Sequence, residues 1–542
     1  MSAQYVIAID AGTTSTRAIL YNRRCNSVCS SKKNENLPLH PHAGWAEHDP
    51  MLLLGNAKLS IEQCLAEAKK LSIKPSQIKA VGITNQRETT VVWDRNTGSP
   101  LYNAIIWHDA RTVSTMETLR KKFKSEQVRS ISGLPISTYF SGVKLRWMID
   151  NVPEVATAIE EGTALFGTVD TWLVWNLSME KSHVTDVTNA GRTMMMDIRS
   201  LSWDPTLVDL IGVSTDILPE ILPCSAEFGH MADTALKGTV ISGVIGDQQS
   251  ALVGQACFET GEAKNTYGTG CFLIVNSGTK PKFTNSYLLT TPAYQFESNP
   301  DSCVYSLEGS IAVAGAAITW LRDNLGIIRN APEVEDLAMS VPDTDDVYVV
   351  PAFSGFLAPY WREDARGTIV GITQRTTRAH IARATLESMA YKTQKVLEAS
   401  EKDMGVPLRQ LRVDGGAAVN DLLMQMQADI VGTEVLRPSD VETTAMGAAF
   451  AAGHFIRLYE SLDEFRESRT VGKKFIPMIT EEERERKISR WNDAVERSLG
   501  WVLDPRPKPL IWIPPPSVVA AFAVGAAVGA TAMALLCRYK KA

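Results

Sequence analysis

Two aspartates follow apolar runs near glycines, a setting in which carboxylates are well placed for phosphate chemistry. Asp10 ends the run YVIAI, and Asp247 follows the run VISGVIG. If both carboxylates face one cleft, one of them can hold a hydrated Mg²⁺ ion and the other can accept a proton, as phosphoryl transfer from ATP requires. The pair therefore predicts a site for a nucleotide bound with Mg²⁺.

The segment from Asp10 to Arg17, DAGTTSTR, is rich in small residues and hydrogen-bond donors. Gly12 allows a tight turn, and Arg17 adds a fixed positive charge within reach of a polyphosphate. The segment lacks the GxxxxGKS or GxxxxGKT pattern of a Walker P-loop, and the residues after it, RAILYN, alternate like a strand. A phosphate-binding hairpin is the alternative, although an ordinary surface turn fits the segment alone equally well. Its hydroxyl donors are Thr13, Thr14 and Ser15.

A third candidate segment is DGGAAVN, residues 414–420. Its two glycines would let a flat adenine ring approach the backbone closely, because glycine has no side chain to obstruct it. Asn420 would then supply a polar contact to the ring. We therefore expect this segment to lie on the nucleotide side of the site.

The elements that must position these segments alternate between strand-like and helix-like patterns. QQSALVGQA follows Asp247, and AAVNDLLMQMQADIV follows Gly416, both with apolar residues three and four apart. This alternation predicts an α/β fold of two lobes with an interlobe cleft, of the hexokinase and actin type. The predicted organisation is an N-terminal lobe at 1–254, a C-terminal lobe at 255–504, a proline-rich linker at 505–517 and a membrane tail at 518–537.

The composition fits a well-cored globular protein and argues against nucleic acid as the main partner. The chain has 542 residues, of which 44% are hydrophobic and 21% are charged, and its formal net charge is -6. Binding to a phosphate backbone would need a concentrated basic surface. The eight cysteines form no CxxC pair, which is typical of reduced thiols in a cytosolic protein. The N-terminus has no pattern of a signal peptide.

The C-terminal segment 518–537, VVAAFAVGAAVGATAMALLC, contains no charged residue and is followed by Arg538, Lys540 and Lys541. An uncharged stretch of about 20 residues is long enough to cross a bilayer as a helix, and the proline-rich residues before it would act as a stiff tether. The alternative is a buried, alanine-rich helix that closes the core. We expect a transmembrane tail anchor.

The hairpin segment, the central GDQQ segment and the late DGG segment occur in an order that resembles the carbohydrate kinase family, which includes glycerol, xylulose and gluconate kinases. The resemblance extends from residue 5 to near residue 500 and implies the two-lobed fold of hexokinase and actin. The stretches similar to glycerol kinases in particular are GWAEHDP (44–50), GITNQRETTVVWD (82–94), YNAIIWHDART (102–112), FGTVDTWLVW (166–175), HVTDVTNAGRTM (183–194), GDQQSALVGQ (246–255), NTYGTGCF (265–272) and PYWREDARG (359–367).

The resemblance implies phosphorylation of glycerol at a terminal hydroxyl, with ATP as donor and Mg²⁺ as cofactor. Asp247 matches the general base, and Arg87 with Glu88 matches a polyol-binding pair, whose adjacent cation and carboxylate suit hydroxyls that both donate and accept. The other polyol contacts that it implies are Tyr139, Gln248, Phe272 and Trp107. The nucleotide contacts that it implies are Thr13, Thr14, Ser15, Arg17, Thr269, Gly315, Gly416 and Asn420. It places Asp10 near Mg²⁺ through water, with Asp247 as a second contact.

Structural roles remain open for the two most important groups. Arg87 and Glu88 could form a surface ion pair at a strand end. Asp247 could cap a helix that begins at Gln248, since aspartate is a preferred N-cap residue.

Five residues depart from the usual pattern of glycerol kinases. The clearest is Ala11, where those enzymes usually carry glutamine. None of them removes a charged group from the predicted chemistry. They therefore bear on the affinity for the nucleotide and not on the class of reaction. The other departures are Gly191, Thr319 and the pair Phe356-Leu357.

Two rival functions remain open at this stage. The first is a kinase for another small polyol or sugar, and the second is a catalytically silent family member that binds a partner at a membrane. The tail predicts an enzyme that faces the cytosol and is anchored in a membrane, by resemblance the mitochondrial outer membrane. We also expect that the protein could form a homo-oligomer.

Overall fold

The computed structural model describes residues 3–232, 235–286, 288–357, 359–362, 364–459 and 461–502. Two mixed β-sheets form the centres of two lobes, and helices cover them. The α/β fold and the two lobes predicted from the sequence are confirmed.

The strands of the described residues are, in chain order, β1 Tyr5–Ala11, β2 Ser15–Asn22, β3 Ser27–Ser30, β4 Asn34–Glu35, β5 Glu47–His48, β6 Ile78–Asn85, β7 Val91–Asp94, β8 Ala104–Ile105, β9 Ala164–Gly167, β10 Val184–Asp186, β11 Met196–Asp197, β12 Ser202–Trp203, β13 Glu220–Leu222, β14 Ser225–His230, β15 Val240–Gly246, β16 Glu262–Tyr267, β17 Cys271–Gly278, β18 Leu289–Tyr294, β19 Val304–Ile311, β20 Tyr348–Val350, β21 Thr368–Val370, β22 Gln410–Asp414, β23 Val435–Pro438 and β24 Val471–Phe475.

The α-helices of the same residues are α1 Pro50–Lys70, α2 Val113–Lys122, α3 Ser125–Ser132, α4 Ser141–Asn151, α5 Pro153–Glu160, α6 Val169–Leu177, α7 Val187–Ala190, α8 Pro205–Ile211, α9 Asp247–Gly254, α10 Gly315–Asp323, α11 Glu333–Met339, α12 Arg378–Met404, α13 Asp421–Val431, α14 Thr443–Phe455, α15 Leu462–Glu467 and α16 Glu481–Glu496. Short 3₁₀ turns span Pro75–Gln77, Thr215–Ile217, Pro300–Ser302 and Gly416–Val419.

The first sheet has the strand order β14-β15-β6-β1-β2-β3, and β4 also pairs with β2. Strands β15, β6 and β1 are parallel neighbours, so their carboxyl ends meet at one edge. In this register both Ala11 and Gly246 lie opposite Asn85. In open α/β sheets this edge is where ligands usually bind.

The second sheet has the order β18-β19-β17-β16-β22-β23-β24. Phe272 of β17 pairs with Ser310 of β19, and Ile274 pairs with Glu308. Since side chains alternate across a strand, Phe272 and Glu308 lie on the same face of this sheet. That face contributes directly to the candidate site described below.

Helix α14 comes from the C-terminal half of the chain but packs on the first sheet. Added Cβ atoms at Gly82 and Gly243 would lie 2.4 Å from the helix backbone, at Ala448 O and Ala452 N respectively. Only glycine allows so close an approach of strand and helix. The chain therefore crosses between the two lobes more than once.

The structure agrees with two local predictions and shifts a third along the chain. The strand–turn–strand prediction for residues 5–22 is confirmed, because β1 and β2 form an antiparallel hairpin closed by a hydrogen bond from Gly12 N to Ser15 O of 3.0 Å. The helix predicted after Gly246 is confirmed as α9. The helix predicted from Ala417 begins later, at Asp421, because Asn420 has an extended backbone and caps it instead.

The predicted transmembrane helix requires a correction. Within the described part of the chain, none of the helices combines the length and the apolar character needed to cross a bilayer. The fold class is therefore corrected to the two lobes alone. The predicted linker at 505–517 and tail at 518–537 lie outside the described residues.

Candidate functional site

The carboxyl edge of the first sheet brings together three segments that are far apart in sequence. Asp10 lies near the end of β1, Arg87 follows β6, and Asp247 follows β15. These strands are adjacent, so the predicted convergence of Asp10, Arg87 and Asp247 follows from their parallel register.

Asp247 is the first residue of α9, and its side chain is still 24% exposed. Its carboxylate accepts a 2.7 Å hydrogen bond from Gln248 N and lies 3.4 Å from Arg87 Nε. Burial raises the pKa of Asp247 to about 6, against the opposing charge of Arg87. The N-cap residue is Gly246 rather than Asp247, so this carboxylate is not the cap of a helix beginning at Gln248.

Arg87 links the two lobes. Its Nη1 donates to Glu308 of β19, with a distance of 2.8 Å to Oε2, and to Gln249 Oε1 at 3.0 Å. Gln249 in turn donates to Glu308 Oε1 at 3.0 Å. Arg87 and Glu308 are both buried, which excludes the alternative that Arg87 belongs to a surface ion pair.

Glu88 is buried beside a second arginine, Arg192. The Nε of Arg192 donates to Glu88 Oε1, and its Nη1 lies 3.2 Å from Glu308 Oε2. Burial favours protonation of Glu308, but the charges of Arg192 and Arg87 outweigh it and lower the pKa of Glu308 to about 2. Two arginines and two carboxylates thus form one buried network, in which each charge has an opposite partner.

The backbone of Glu88 is in the left-handed region, with φ 58°. Few residues other than glycine adopt this conformation, and it is costly enough to persist only where the surroundings enforce it. Here the carbonyl of Glu88 accepts hydrogen bonds from Thr90 Oγ1 at 3.0 Å and Ser141 Oγ at 3.1 Å. The turn directs the Glu88 side chain toward Arg192.

Three aromatic residues form an apolar wall next to this network. The ring of Trp107 lies 5.6 Å from that of Tyr139 and 5.7 Å from that of Phe272. The guanidinium of Arg192 lies 5.0 Å from the centroid of the Tyr139 ring. Because Phe272 belongs to the second sheet and Trp107 to the first lobe, the wall closes the cleft from both sides.

The buried amine of Lys144 holds the segment that carries Tyr139. It donates to the carbonyls of Thr138, at 2.9 Å, and of Tyr139. Burial lowers the pKa of Lys144 to about 7. Its hydrogen bonds fix the backbone from which the Tyr139 ring projects.

The phosphate hairpin adjoins the aromatic wall. Trp107 Nε1 donates to Thr13 Oγ1 at 3.0 Å, and Asn36 Nδ2 donates to the carbonyl of Gly12 at 2.7 Å. Thr14 is exposed and Ser15 is partly exposed at the tip of the hairpin. Hydroxyl and backbone donors therefore remain accessible there.

Arg17 is paired within the protein. Its guanidinium lies 2.9 Å from Asp10 Oδ2 and 2.5 Å from Glu442 Oε2. Burial disfavours its charge, but Asp10 and Glu442 outweigh this effect and raise the pKa of Arg17. Arg17 thus orients Asp10 and connects the hairpin to the segment before α14.

The second lobe contributes loops in which backbone predominates. Gly268 and Thr269 are exposed between β16 and β17, and the amide of Gly315 donates to the carbonyl of Gly268 at 3.0 Å. Gly416 is also exposed. Asn420 is buried, and its side-chain oxygen accepts a 2.7 Å hydrogen bond from Leu423 N as the N-cap of α13.

Lys264 is a further charged residue beside Asp247. It is buried on β16 and donates to Gln248 Oε1 and, at 2.9 Å, to Thr266 Oγ1. Burial lowers the pKa of Lys264 to about 8, although the charges of Asp414 and Asp247 oppose this effect. Lys264 therefore orients the amide of Gln248.

The sequence reasoning missed several members of this site. Arg192 lies in the stretch HVTDVTNAGRTM, whose resemblance marked it without giving that residue a role. Glu308 lies in no recognised motif, and only the pairing of strands brings it to Arg87. The missed residues are Lys144, Arg192, Gln249, Lys264 and Glu308.

One of the departures, Gly191, has a structural explanation. An added Cβ at Gly191 would lie 2.8 Å from Pro292 Cδ, so the close packing of β18 on α7 requires glycine there. Ala11 is fully buried, whereas Thr319 is exposed on α10. Neither Ala11 nor Thr319 alters the charged network.

The carboxylates of Asp10 and Asp247 fit a hydrated magnesium ion. The negative charge of Asp10 is one cause of the raised pKa of Asp247, and a divalent cation would offset that repulsion. In the part of the chain that the structure describes, no three acidic, histidine or cysteine side chains are grouped to hold a metal by themselves. Mg²⁺ commonly uses only one or two carboxylates together with phosphates and water.

Comparison with known proteins identifies the family. Residues 5–254 match the N-terminal domain of the FGGY family of carbohydrate kinases, and residues 263–455 match its C-terminal domain. The chain is 49% identical to a glycerol kinase of Brucella anthropi, over 92% of this chain and 99% of that protein. It is 48% identical to a glycerol kinase of Acidiphilium cryptum, over 92% of this chain and 100% of that protein.

A solved structure leads to the same family. The crystal structure of Plasmodium falciparum glycerol kinase with ADP is 38% identical and has a TM-score of 0.85, covering 92% of this chain and 98% of that one. The two curated relatives are bacterial and are matched almost completely, so they support neither a membrane partner nor the expected location at the mitochondrial outer membrane. The predictions of a membrane partner and of a location at the mitochondrial outer membrane are therefore corrected, since the comparisons support neither. The chain belongs to the FGGY family of carbohydrate kinases, within which these relatives are glycerol kinases.

Proposed function

We propose that the protein is a glycerol kinase, which transfers the terminal phosphoryl group of ATP to a terminal hydroxyl of glycerol and forms glycerol 3-phosphate and ADP. The single observation that carries this proposal is the contact between Arg87 Nε and the Asp247 carboxylate, at 3.4 Å, beside the buried Glu88, which Arg192 holds. A cation, a base and a carboxylate acceptor thereby surround a space suited to a small polyol. The similarity to glycerol kinases supports the same substrate.

The polyol binds at the buried network. Arg87 donates to one hydroxyl oxygen and Glu88 accepts from another, because each hydroxyl of glycerol both donates and accepts. The networks around Arg87 and Glu88 fix their positions before the substrate arrives, so little ordering remains to oppose binding. Tyr139 and Gln248 supply further polar contacts. The faces of Trp107 and Phe272 cover the carbon chain, as apolar walls commonly do in small-ligand sites.

Asp247 acts as the general base that accepts the proton of the attacking hydroxyl. A positioned base contributes a factor of about 10²–10⁴ to the rate, and a pKa of about 6 leaves the carboxylate ionised at neutral pH. Asp10 would hold Mg²⁺ through water and Asp247 would contact the same ion, which would supply positive charge to the phosphate oxygens.

The nucleotide binds across both lobes. The hairpin hydroxyls and amides donate to the phosphates, and the two loops of the second lobe hold the nucleoside. Arg17 contributes by orienting Asp10 and by its charge, since two carboxylates already share its guanidinium. The residues that we assign to the nucleotide are Thr13, Thr14, Ser15, Arg17, Thr269, Gly315, Gly416 and Asn420.

The two lobes close on the bound substrates. We assign residues 1–254 to the lobe with the polyol site and residues 255–504 to the lobe on the nucleotide side. Closure excludes water, which would otherwise compete with glycerol for the phosphoryl group. The pair Arg87–Glu308 joins the lobes beside the reacting groups.

A direct assay tests the proposal. Purified full-length protein with Mg²⁺ and ATP should release ADP in proportion to added glycerol, and far less with xylulose, gluconate or dihydroxyacetone. A higher kcat/KM for one of those other compounds than for glycerol would identify that compound as the substrate instead. Absence of ADP release with all four, from folded protein that still binds ATP, would favour the catalytically silent binding protein instead.

A further inference from the structure

Two cysteines outside the candidate site face each other between β3 and α1. Cys29 Sγ lies 3.8 Å from the carbonyl oxygen of Cys64, and Cys64 Sγ lies 3.9 Å from the carbonyl oxygen of Cys29. These contacts are reciprocal, so each side chain reaches the backbone of the other residue. A disulfide needs α-carbons about 4.4–6.8 Å apart, and contacts of this kind are compatible with that range.

The two thiols differ in exposure and in acidity. Cys29 is partly exposed, whereas Cys64 is buried. The hydrogen bond between them lowers the pKa of Cys29 and raises the pKa of Cys64, as expected when the Cys64 thiol donates to a Cys29 thiolate. Thiolate character combined with exposure is what makes a cysteine react with oxidants. The partner thiol beside it is then placed to complete a disulfide.

Helix α1 connects this pair to the phosphate hairpin. Asn56, Ser60 and Cys64 are four residues apart and therefore share one face of α1. Ser60 Oγ donates to the carbonyl of Thr16 at 3.3 Å. Asn56 Nδ2 donates to Asn36 Oδ1 at 2.8 Å, and Asn36 holds the Gly12 carbonyl at the turn of the hairpin.

We propose that Cys29 and Cys64 form a redox-sensitive site, which hydrogen peroxide converts to a disulfide that alters the phosphate hairpin through α1. The Cys29 thiolate attacks one peroxide oxygen, the O–O bond breaks, and hydroxide leaves, so that Cys29 becomes a sulfenic acid. Cys64 sulfur then attacks the Cys29 sulfur, and the leaving hydroxide takes the Cys64 proton to form water. The hydroxide released in the first step takes from solvent the proton that Cys29 lost when it ionised, so that overall two thiols are oxidised by two electrons and one peroxide is reduced to two waters.

The bond shortens the separation of the two sulfurs to about 2.05 Å, which draws the end of α1 toward β3. Hydrogen bonds tolerate only small changes in length, so those from Ser60 and Asn56 to the hairpin region weaken. Among the described residues, the contacts that hold Arg87, Glu88, Arg192 and Glu308 involve no residue of α1. Oxidation should therefore raise the KM for ATP and leave the KM for glycerol nearly unchanged.

Peptide mapping of the full-length protein tests the bond without reference to catalysis. After peroxide treatment and alkylation, a tryptic digest should contain the peptide CNSVCSSK, which begins at Cys25, joined to the peptide that contains Cys64. Dithiothreitol should separate them. The Cys29→Ser variant should lose the cross-link. The Cys25→Ser variant is the matched control and should keep it, because the Cys25 thiol contacts the carbonyl of Met446 instead.

The functional consequence is measured on the same samples. We expect the KM for ATP to rise about fivefold on oxidation, the effect of losing one hydrogen bond of ordinary strength, and to return on reduction. Cys29→Ser should not respond to peroxide. A bond from Cys29 to any other cysteine, no bond, or a bond with an unchanged KM for ATP would overturn the proposal. If the protein proves not to phosphorylate glycerol, the peptide map still decides whether the disulfide forms, and direct titration of ATP replaces the KM.

Discussion

The polyol side and the nucleotide side of the cleft are built in different ways. The polyol side consists of buried charged side chains, with Arg87, Glu88, Arg192 and Glu308 paired among themselves before any ligand is present. The nucleotide side consists of exposed turns in which backbone groups and small residues predominate, such as Thr14, Thr269 and Gly416. The polyol side is thus held in place by its own ion pairs, whereas the nucleotide side is exposed to solvent.

This difference determines what a substitution does. A buried ion network tolerates the removal of one member poorly, because the remaining charge has neither a partner nor water. An exposed turn tolerates a small change with little effect on stability, because water still solvates its polar groups. We therefore expect substitutions on the polyol side to affect folding and turnover together, whereas those on the nucleotide side should act mainly on the KM for ATP.

The largest effect is expected from Asp247→Asn. The substitution keeps the shape of the side chain but removes the base, so kcat should fall by about 10²–10⁴. Binding of glycerol should remain, because Arg87, Glu88 and the aromatic wall are unchanged. The measurement is glycerol-dependent ADP release together with calorimetric titration of glycerol.

Asp204→Asn provides a matched control. Asp204 accepts a hydrogen bond from Leu207 N as the N-cap of α8 and takes no part in the site. This variant should keep normal turnover. If Asp247→Asn also kept near-normal turnover, Asp247 would not be the base.

The next largest effect is expected from Glu308→Gln, which leaves Arg87 and Arg192 without their shared carboxylate. Breaking a buried charge pair by removing one partner typically costs about 3–5 kcal/mol. The midpoint of thermal unfolding should fall, and glycerol binding should weaken because Arg87 loses its anchor. The control is Glu434→Gln, since Glu434 pairs with Lys474 on the surface and such pairs contribute about 1 kcal/mol or less. Equal shifts for the two variants would contradict the buried network.

Sequence reasoning identified the reacting groups better than their supports. Asp10 and Asp247 lie at the ends of segments with a recognisable apolar pattern, so their convergence could be predicted from the order of the elements, whereas Arg87 was assigned only through the resemblance to glycerol kinases. Glu308 could not be predicted, because it lies in the middle of β19 and its role depends on how the second sheet faces the first. The pairing of Arg17 with Glu442 and the capping of α13 by Asn420 could not be predicted from the sequence either. Their partners, Glu442 and Leu423, become evident only when the chain has folded.

The tail was the least secure prediction. A run of small apolar residues at 518–537 satisfies the length of a membrane span, but composition alone does not separate such a span from other alanine-rich segments. The lobes were predicted more reliably because strand-like and helix-like segments alternate along the chain, and because the motifs resemble those of a known kinase family. The close packing of Gly82 and Gly243 against α14 could not be predicted, since it becomes evident only in the folded chain.

An effect of intermediate size is expected in the pH dependence of the reaction. Burial raises the pKa of Asp247 to about 6, and only the ionised carboxylate accepts a proton. The value of kcat/KM should therefore be half-maximal near pH 6, approach its plateau above about pH 7 and fall about tenfold for each unit of pH well below 6. The profile of kcat/KM against pH measures this, with circular dichroism as the control for folding. A flat profile down to pH 5 would contradict the assignment of this pKa to the base.

The smallest effect, and the sharpest contrast within the nucleotide side, is expected from two glycines. A Cβ added at Gly416 meets no atom within 4 Å, whereas one at Gly315 would lie 2.6 Å from the carbonyl oxygen of Gly268. Gly416→Ala should therefore leave the unfolding midpoint unchanged and raise only the KM for ATP, by a few-fold, because the methyl group enters the space proposed for the nucleoside. Gly315→Ala must instead displace the loop that carries Thr269, so it should lower both stability and ATP affinity. If Gly416→Ala left the KM for ATP unchanged while Gly315→Ala raised it, the nucleoside would lie against α10 and not against the turn before α13.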